Sequence, residues 1–195
     1  MPKGYTTKQA IENYTLQKIA DGFNTQLDAW IGSIEKYIEQ QTGRIFIAGE
    51  EATTRLYDGD GTGVSLVDDF ILEDDAEVEI KIDGEAIALE DVYFYPANSE
   101  KKNKIVLDGL NFNRGKQNIS ITALWGYSKE VPADIVLACT ILVAGIMAYS
   151  DGSKGKVRSE SVGRYSVSYA TDEGWNDFAK VSGILDSYKK FELNP

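Results

Sequence analysis

The sequence predicts an α+β fold: a small helical bundle made of N-terminal helices, a long central helix and a C-terminal helix, with an inserted antiparallel β-sandwich or barrel module. Three observations lead there. Residues 135–149 are apolar almost without a break, so a helix over them is buried on most of its circumference. Residues 24–41 place Leu27, Trp30, Ile31, Ile34, Tyr37, Ile38 and Gln41 at three- and four-residue spacing, one apolar stripe that needs a partner helix. Between the two, short runs of β-branched and aromatic residues alternate with turn dipeptides, the rhythm of a small all-β module. The expected division is a helical core over 1–43 and 129–195, including a loop and strand at 151–170, and a β-insert over 44–128.

In order along the chain, Thr6 or Thr7 caps a short helix through about Tyr14. The second helix opens with Thr25 and Asp28 spaced as a capping box and closes at Gly43. Strands are expected at 44–48, 53–57, 64–67, 78–82, 86–89, 92–95, 104–107 and 119–125. Asp58-Gly59, Asp83-Gly84, Asn98-Ser99 and Asp108-Gly109 are turn signals between them, and Asp83-Gly84 with alternating flanks marks a hairpin. The strand at 119–125 breaks at Gly126 and hands the chain to the central helix. Pro132 suits the first turn, where its missing N–H costs nothing, and Asp134 complements the helix dipole. This helix reaches about 22 Å at ~1.5 Å per residue, short of the ~30 Å of a hydrocarbon core. No membrane contact is expected of it.

Beyond it, DGSKGKVRSES (151–161) carries Lys154, Lys156 and Arg158 among small polar residues and reads as an exposed loop. Residues 162–169 alternate as one strand with Tyr165, Val167 and Tyr169 on one face. A final helix over 175–190 carries the stripe Trp175, Phe178, Val181, Leu185 and Tyr188. The tail leaves Phe191 and Leu193 without an evident partner in the chain.

Net charge is −11 over 195 residues, and residues 51–130 hold seventeen Asp/Glu against eight Lys/Arg. An acidic segment of this kind argues against tight nucleic-acid binding, which needs positive charge. The chain has no histidine and a single cysteine, Cys139, inside the apolar helix. An ordinary zinc site and a Ser–His or Cys–His dyad are thereby excluded, as is an internal disulfide; Cys139 reads as a small buried hydrophobe. The opening MPKGYTTKQAIENY lacks an apolar h-region, so a cytoplasmic origin is expected and Asn13-Tyr14-Thr15 is taken as a chance glycosylation match.

Two strings could carry chemistry. Tyr57-Asp58-Gly59-Asp60-Gly61-Thr62-Gly63 has two carboxylates beside glycines, as a calcium loop does, but lacks the third acidic position and the distal Glu. A tight turn explains the same letters. Asp68, Asp69, Glu73, Asp74 and Asp75 could supply paired carboxylates for glycoside hydrolysis, though a solvated acidic loop is the simpler account. No catalytic residue, cofactor or metal is assigned. Two alternatives stay open: a ligand- or glycan-binding β-module braced by helices, and an acidic hydrolase.

The order of several short strings resembles the head–tail connector (adaptor, or head-completion) family of tailed bacteriophages and prophages. These are Gln41-Thr42-Gly43-Arg44-Ile45-Phe46, then Trp125-Gly126-Tyr127, then Val131-Pro132-Ala133-Asp134-Ile135, then Ser159-Glu160-Ser161-Val162-Gly163-Arg164-Tyr165-Ser166-Val167-Ser168-Tyr169. The resemblance implies a structural virion protein at the head–tail interface, made in the bacterial cytoplasm. It implies a ring, of about twelve copies, between the portal protein and a stopper or tail-completion protein. DNA would pass through the ring only as cargo. Lys154, Lys156 and Arg158 would reach toward the portal or lumen, Tyr165, Val167 and Tyr169 would join neighbouring subunits, and Phe191 and Leu193 would dock on the portal.

Overall fold

The computed structural model describes residues 2–72, 78–150, 160–162, 165–167 and 173–190, with the backbone alone described at 149, 160–162, 165–167 and 173–178. The elements run α1 (Lys8–Thr15), α2 (Asn24–Thr42), β1 (Thr53–Gly59), β2 (Val64–Ile71), β3 (Glu79–Ile82), β4 (Glu85–Ala86) and β5 (Val92–Tyr95). They continue with β6 (Lys101–Leu107), β7 (Gly115–Trp125), α3 (Ala133–Ser150), β8 (Glu160–Val162), β9 (Tyr165–Val167) and α4 (Glu173–Tyr188). The fold is α+β, four helices and a curled antiparallel sheet. It separates into two compact units, Met1–Gly43 with Val131–Pro195, and Arg44–Glu130.

In the helical unit α3 is the centre, touched by α1, α2 and α4. Ile135, Ala138, Cys139, Leu142, Val143 and Ala144 are all buried. Pro132 stands just ahead of the first helical residue and its carbonyl accepts from the Val136 amide, the role its ring permits. The stripe of α2 is buried at Leu27, Ile31, Ile34 and Ile38, while Trp30 and Tyr37 are half-buried and Gln41 is exposed. Of the two threonines expected as caps, Thr7 caps α1, its hydroxyl accepting from the Ala10 amide at 3.1 Å. Gly43 closes α2 at φ 67. The capping box of α2 does not form. A 3-10 turn at Asp21–Phe23 delivers the chain already helical, so Phe23 takes the cap position without a side-chain bond and Thr25 lies inside the helix.

A carboxylate organises the N-terminal segment. Glu35, on the stripe face of α2 and 3 % exposed, accepts from the backbone amides of Lys3, Gly4 and Tyr5 at 2.6, 2.8 and 2.9 Å. Glu39, one turn on, accepts from the Tyr5 hydroxyl and the Lys3 ammonium. A buried charge is tolerable only when its lone pairs are filled, and here backbone amides fill them. Thr6 and Thr140 join hydroxyls at 2.6 Å, fixing the same segment to α3.

In the second unit the strand order is β4-β3-β7-β2-β6-β5, with β1 also paired to β7. Trp125, Phe70, Ile80, Ile105, Ile119, Ile121 and Phe112 build the core on its inner face. Asp83 (φ 53) and Gly84 (φ 87) make the expected hairpin turn between β3 and β4. Four strand expectations are corrected. The turn assigned to Asp58-Gly59 falls later, because Gly59 still pairs with Gly115. A Cβ at Gly59 would stand 1.9 Å from the Asn113 carbonyl oxygen, so only glycine fits that approach. The strand expected at 86–89 ends at Ala86, and a 3-10 turn occupies Leu89–Asp91.

Residues 44–48 form no strand; they are clipped to 125–128 by Tyr127 N–H to Ile45 O, Ala48 N–H to Ser128 O and Gly49 N–H to Trp125 O. Gly126 permits this, since a Cβ there would lie 2.4 Å from the Ala48 Cα. Residues 162–169 are not one strand: β8 and β9 pair antiparallel, with Val162 opposite Tyr165. The period-two pattern of the sequence therefore runs over two antiparallel strands rather than one.

Candidate assembly surface

Of the residues singled out in the sequence, Lys154, Lys156, Arg158, Tyr169, Phe191 and Leu193 lie outside the described residues. Tyr165 and Val167 belong to β9, whose backbone pairs with β8 of the same chain. The two acidic strings are accounted for locally. Asp58 accepts from the Lys116 ammonium at 2.6 Å and the Gln117 amide at 2.8 Å, bonds that hold its carboxyl below the usual range and brace the bulge where β1 meets β7. Asp60 accepts from the Thr62 hydroxyl and amide, which lower its pKa in turn. Asp68 accepts from Arg55 and Tyr57, and both oxygens of Asp69 accept from Arg44. Glu73, Asp74 and Asp75 lie outside the described residues. Among the described residues no three His, Cys, Asp or Glu side chains are grouped to hold a metal ion, and no helix is long and apolar enough to cross a membrane.

What the sequence pattern missed is an apolar outer face on β2, β6 and β5. The register sets Val64, Val106 and Tyr93 in one row across the three strands, and Leu66, Lys104 and Tyr95 in the next. The intervening row, Ser65, Ile105 and Phe94, carries the inward residue Ile105, which is fully buried, so the pleat turns the two flanking rows outward. Leu66 is 51 % and Tyr93 50 % exposed; Val64 and Tyr95 are exposed as well. The Lys104 ammonium lies 4.7 Å from the centroid of the Tyr95 ring, covering it with a cation. β5 is the end strand of the sheet order. A signal for this face was present. Residues 92–95 read VYFY, apolar at both parities, whereas a strand with one wet face alternates.

No protein-family model matches the sequence, and no curated protein matches it. Solved structures do. A chain in the neck of an empty gene transfer agent particle, a structure computed with C6 symmetry, superposes with TM-score 0.54 at 11 % identity. The match covers 91 % of this chain and 84 % of that one. A chain in the virion of a native gene transfer agent particle gives TM-score 0.54 at 10 % identity, covering 95 % and 89 %. The shared property is the fold. It extends over both units, because coverage of this size leaves no room to omit either.

Proposed function

We propose that the chain is a structural virion protein of a tailed phage or prophage, an adaptor subunit that rings the DNA channel between the portal and the stopper or tail. The observation that carries this reading is the fold shared with particle chains along nearly their whole length. The ordered motifs from Gln41 to Tyr169 point the same way. In this reading the protein turns over no substrate and works by shape.

A closed ring needs a heterologous interface, one patch meeting a different patch. The outward rows of Val64, Leu66, Tyr93 and Tyr95 supply an apolar patch of the kind such contacts bury. An acidic balance lets DNA slide rather than grip. Lys154, Lys156 and Arg158 reach the portal or the lumen, Tyr165, Val167 and Tyr169 lie at the subunit boundary, and Phe191 and Leu193 dock on the portal.

The experiment is to mix the purified chain with purified portal rings and image the product. Added density of matching cyclic symmetry on one end of the portal supports the reading, and portal rings left bare overturn it. In a pull-down, Lys154→Glu with Lys156→Glu and Arg158→Glu is expected to abolish portal capture.

A further inference from the structure

Arg44, Asp69, Lys101 and Tyr127 form a charged knot in the second unit. The Arg44 guanidinium sits 5.5 Å and the Lys101 ammonium 4.3 Å from the centroid of the Tyr127 ring. Among the described residues the acid in this neighbourhood is Asp69, which is buried. Arg44 already bonds both oxygens of that acid, one at 2.6 Å, and the pair is almost wholly buried. Among the described residues no carboxylate stands within ion-pairing distance of Lys101, whose one close partner is the ring. Burial lowers the pKa of its ammonium, Asp69 acts against that and Arg44 adds to it. Beside it opens a cleft of about 480 Å³, whose walls include Asn98, Ser99, Ser128 and Glu100.

A half-buried cation with no carboxylate paired to it among the described residues favours an anion, and the Asn98 amide and Ser99 hydroxyl in the cleft wall can hydrogen-bond one, the Ser128 hydroxyl being engaged with the Phe46 and Glu130 carbonyls. Glu100 narrows the choice. A phosphate entering here would face that carboxylate as well as Asp69, and a polyanion would first cross a module carrying seventeen acids against eight bases. A ligand that offers a carboxylate to Lys101 and an N–H to Glu100 satisfies both. An acidic side chain on a peptide backbone has that pairing, and the cleft volume suits one residue with its flanking peptide groups.

We propose that this cleft receives an acidic residue of another polypeptide, its carboxylate on the Lys101 ammonium and a neighbouring backbone N–H on Glu100. The proposal is independent of the virion reading, since it rests only on the geometry around Lys101.

The test is amide NMR on the isotope-labelled full chain at constant ionic strength. Three probes are titrated: the blocked peptide acetyl-Gly-Glu-Gly-amide, its glutamine counterpart, and inorganic phosphate. The glutamate peptide is expected to shift the amides of Ser99, Lys101 and Ser128 saturably in the millimolar range. The glutamine peptide and phosphate are each expected to bind about tenfold more weakly or not at all. Lys101→Met, which keeps an aliphatic stem over Tyr127, is expected to weaken glutamate-peptide binding about tenfold while the rest of the spectrum stays native. The proposal is overturned by an absence of saturable shifts at the cleft, by glutamine peptide or phosphate binding equally well, or by unchanged binding in a folded Lys101→Met. The wild-type arms decide alone if the variant does not fold.

Discussion

The Tyr188 hydroxyl lies 2.8 and 3.0 Å from the two carboxylate oxygens of Asp134, so the last residue of α4 is bonded to the first turn of α3. Asp134 also accepts from its own Ile135 amide. A hydrogen bond to a charged acceptor in a half-buried setting contributes about 1.5–3 kcal/mol at most, less where water competes. Tyr188→Phe is therefore expected to lower unfolding free energy by about 1 kcal/mol. A double-mutant cycle with Asp134→Ala, read by urea unfolding, should show coupling of similar size. Strictly additive losses would mean that the bond contributes nothing.

Glu35 is the residue whose loss should cost most for its size. Replacing it by alanine strands the amides of Lys3, Gly4 and Tyr5, a loss of about 3 kcal/mol by the scale of buried charged hydrogen bonds. Glu35→Gln keeps one acceptor oxygen and should cost roughly half of that. Hydrogen exchange separates local from global effects: the amides of residues 3–5 should lose protection in both variants. Protection unchanged at those amides would show that Glu35 does not hold them.

Glu35 also marks where sequence reading ran out. The period of α2 identifies Leu27, Ile31, Ile34 and Ile38 correctly because apolar burial is periodic. A glutamate on the same face looks like a solvated charge until the chain at Lys3–Tyr5 is seen lying over it. Thr7 as a cap, Gly43 as a stop and the Asp83-Gly84 hairpin were legible, because each is decided within four residues. The clip of 44–48 onto 125–128 was not, since it joins segments about eighty residues apart through a glycine whose missing side chain is the signal. The outer face of β2, β6 and β5 needed the register, because VYFY is apolar at both parities.

Gly59→Ala tests close approach directly. The new methyl carbon would sit 1.9 Å from the Asn113 carbonyl oxygen, backbone that cannot swing aside as a side chain does. A loss of about 2 kcal/mol or more is expected, with the β1–β7 pairing weakened. Gly22→Ala is the control: nothing lies within 4 Å of a Cβ there, so its effect should stay within about 0.5 kcal/mol. Equal melting temperatures for the two variants would contradict the geometry.

The Tyr57 phenol, hydrogen-bonded to Asp68, is pushed up to about 12, chiefly by burial, with the backbone bond to Asp68 acting the other way and the Asp68 charge adding to the rise. Its folded pKa exceeds the ordinary value near 10, so the neutral phenol favours the fold. That contribution is complete below the unfolded pKa and is lost as pH climbs from about 10 toward about 12. Stability measured across that window should fall more steeply in the wild type than in Tyr57→Phe. Parallel curves would remove Tyr57 as the cause.

Cys139 lies wholly inside α3, and burial, with the Glu35 charge adding to it, pushes its thiol up to about 12. A thiol reacts as its thiolate, so this one is doubly protected at neutral pH, by access and by ionisation. Labelling with a thiol reagent near pH 8 should then proceed only through opening of the helical unit. The rate should rise in step with the destabilisation of Glu35→Ala and Tyr188→Phe: about tenfold for each ~1.4 kcal/mol when reclosing outpaces the reagent. Because Gly59 belongs to the other unit, Gly59→Ala separates two cases. A labelling rate raised as much by Gly59→Ala as by an equally destabilising change near α3 means the two units open together. A rate left at the wild-type value means that they open independently.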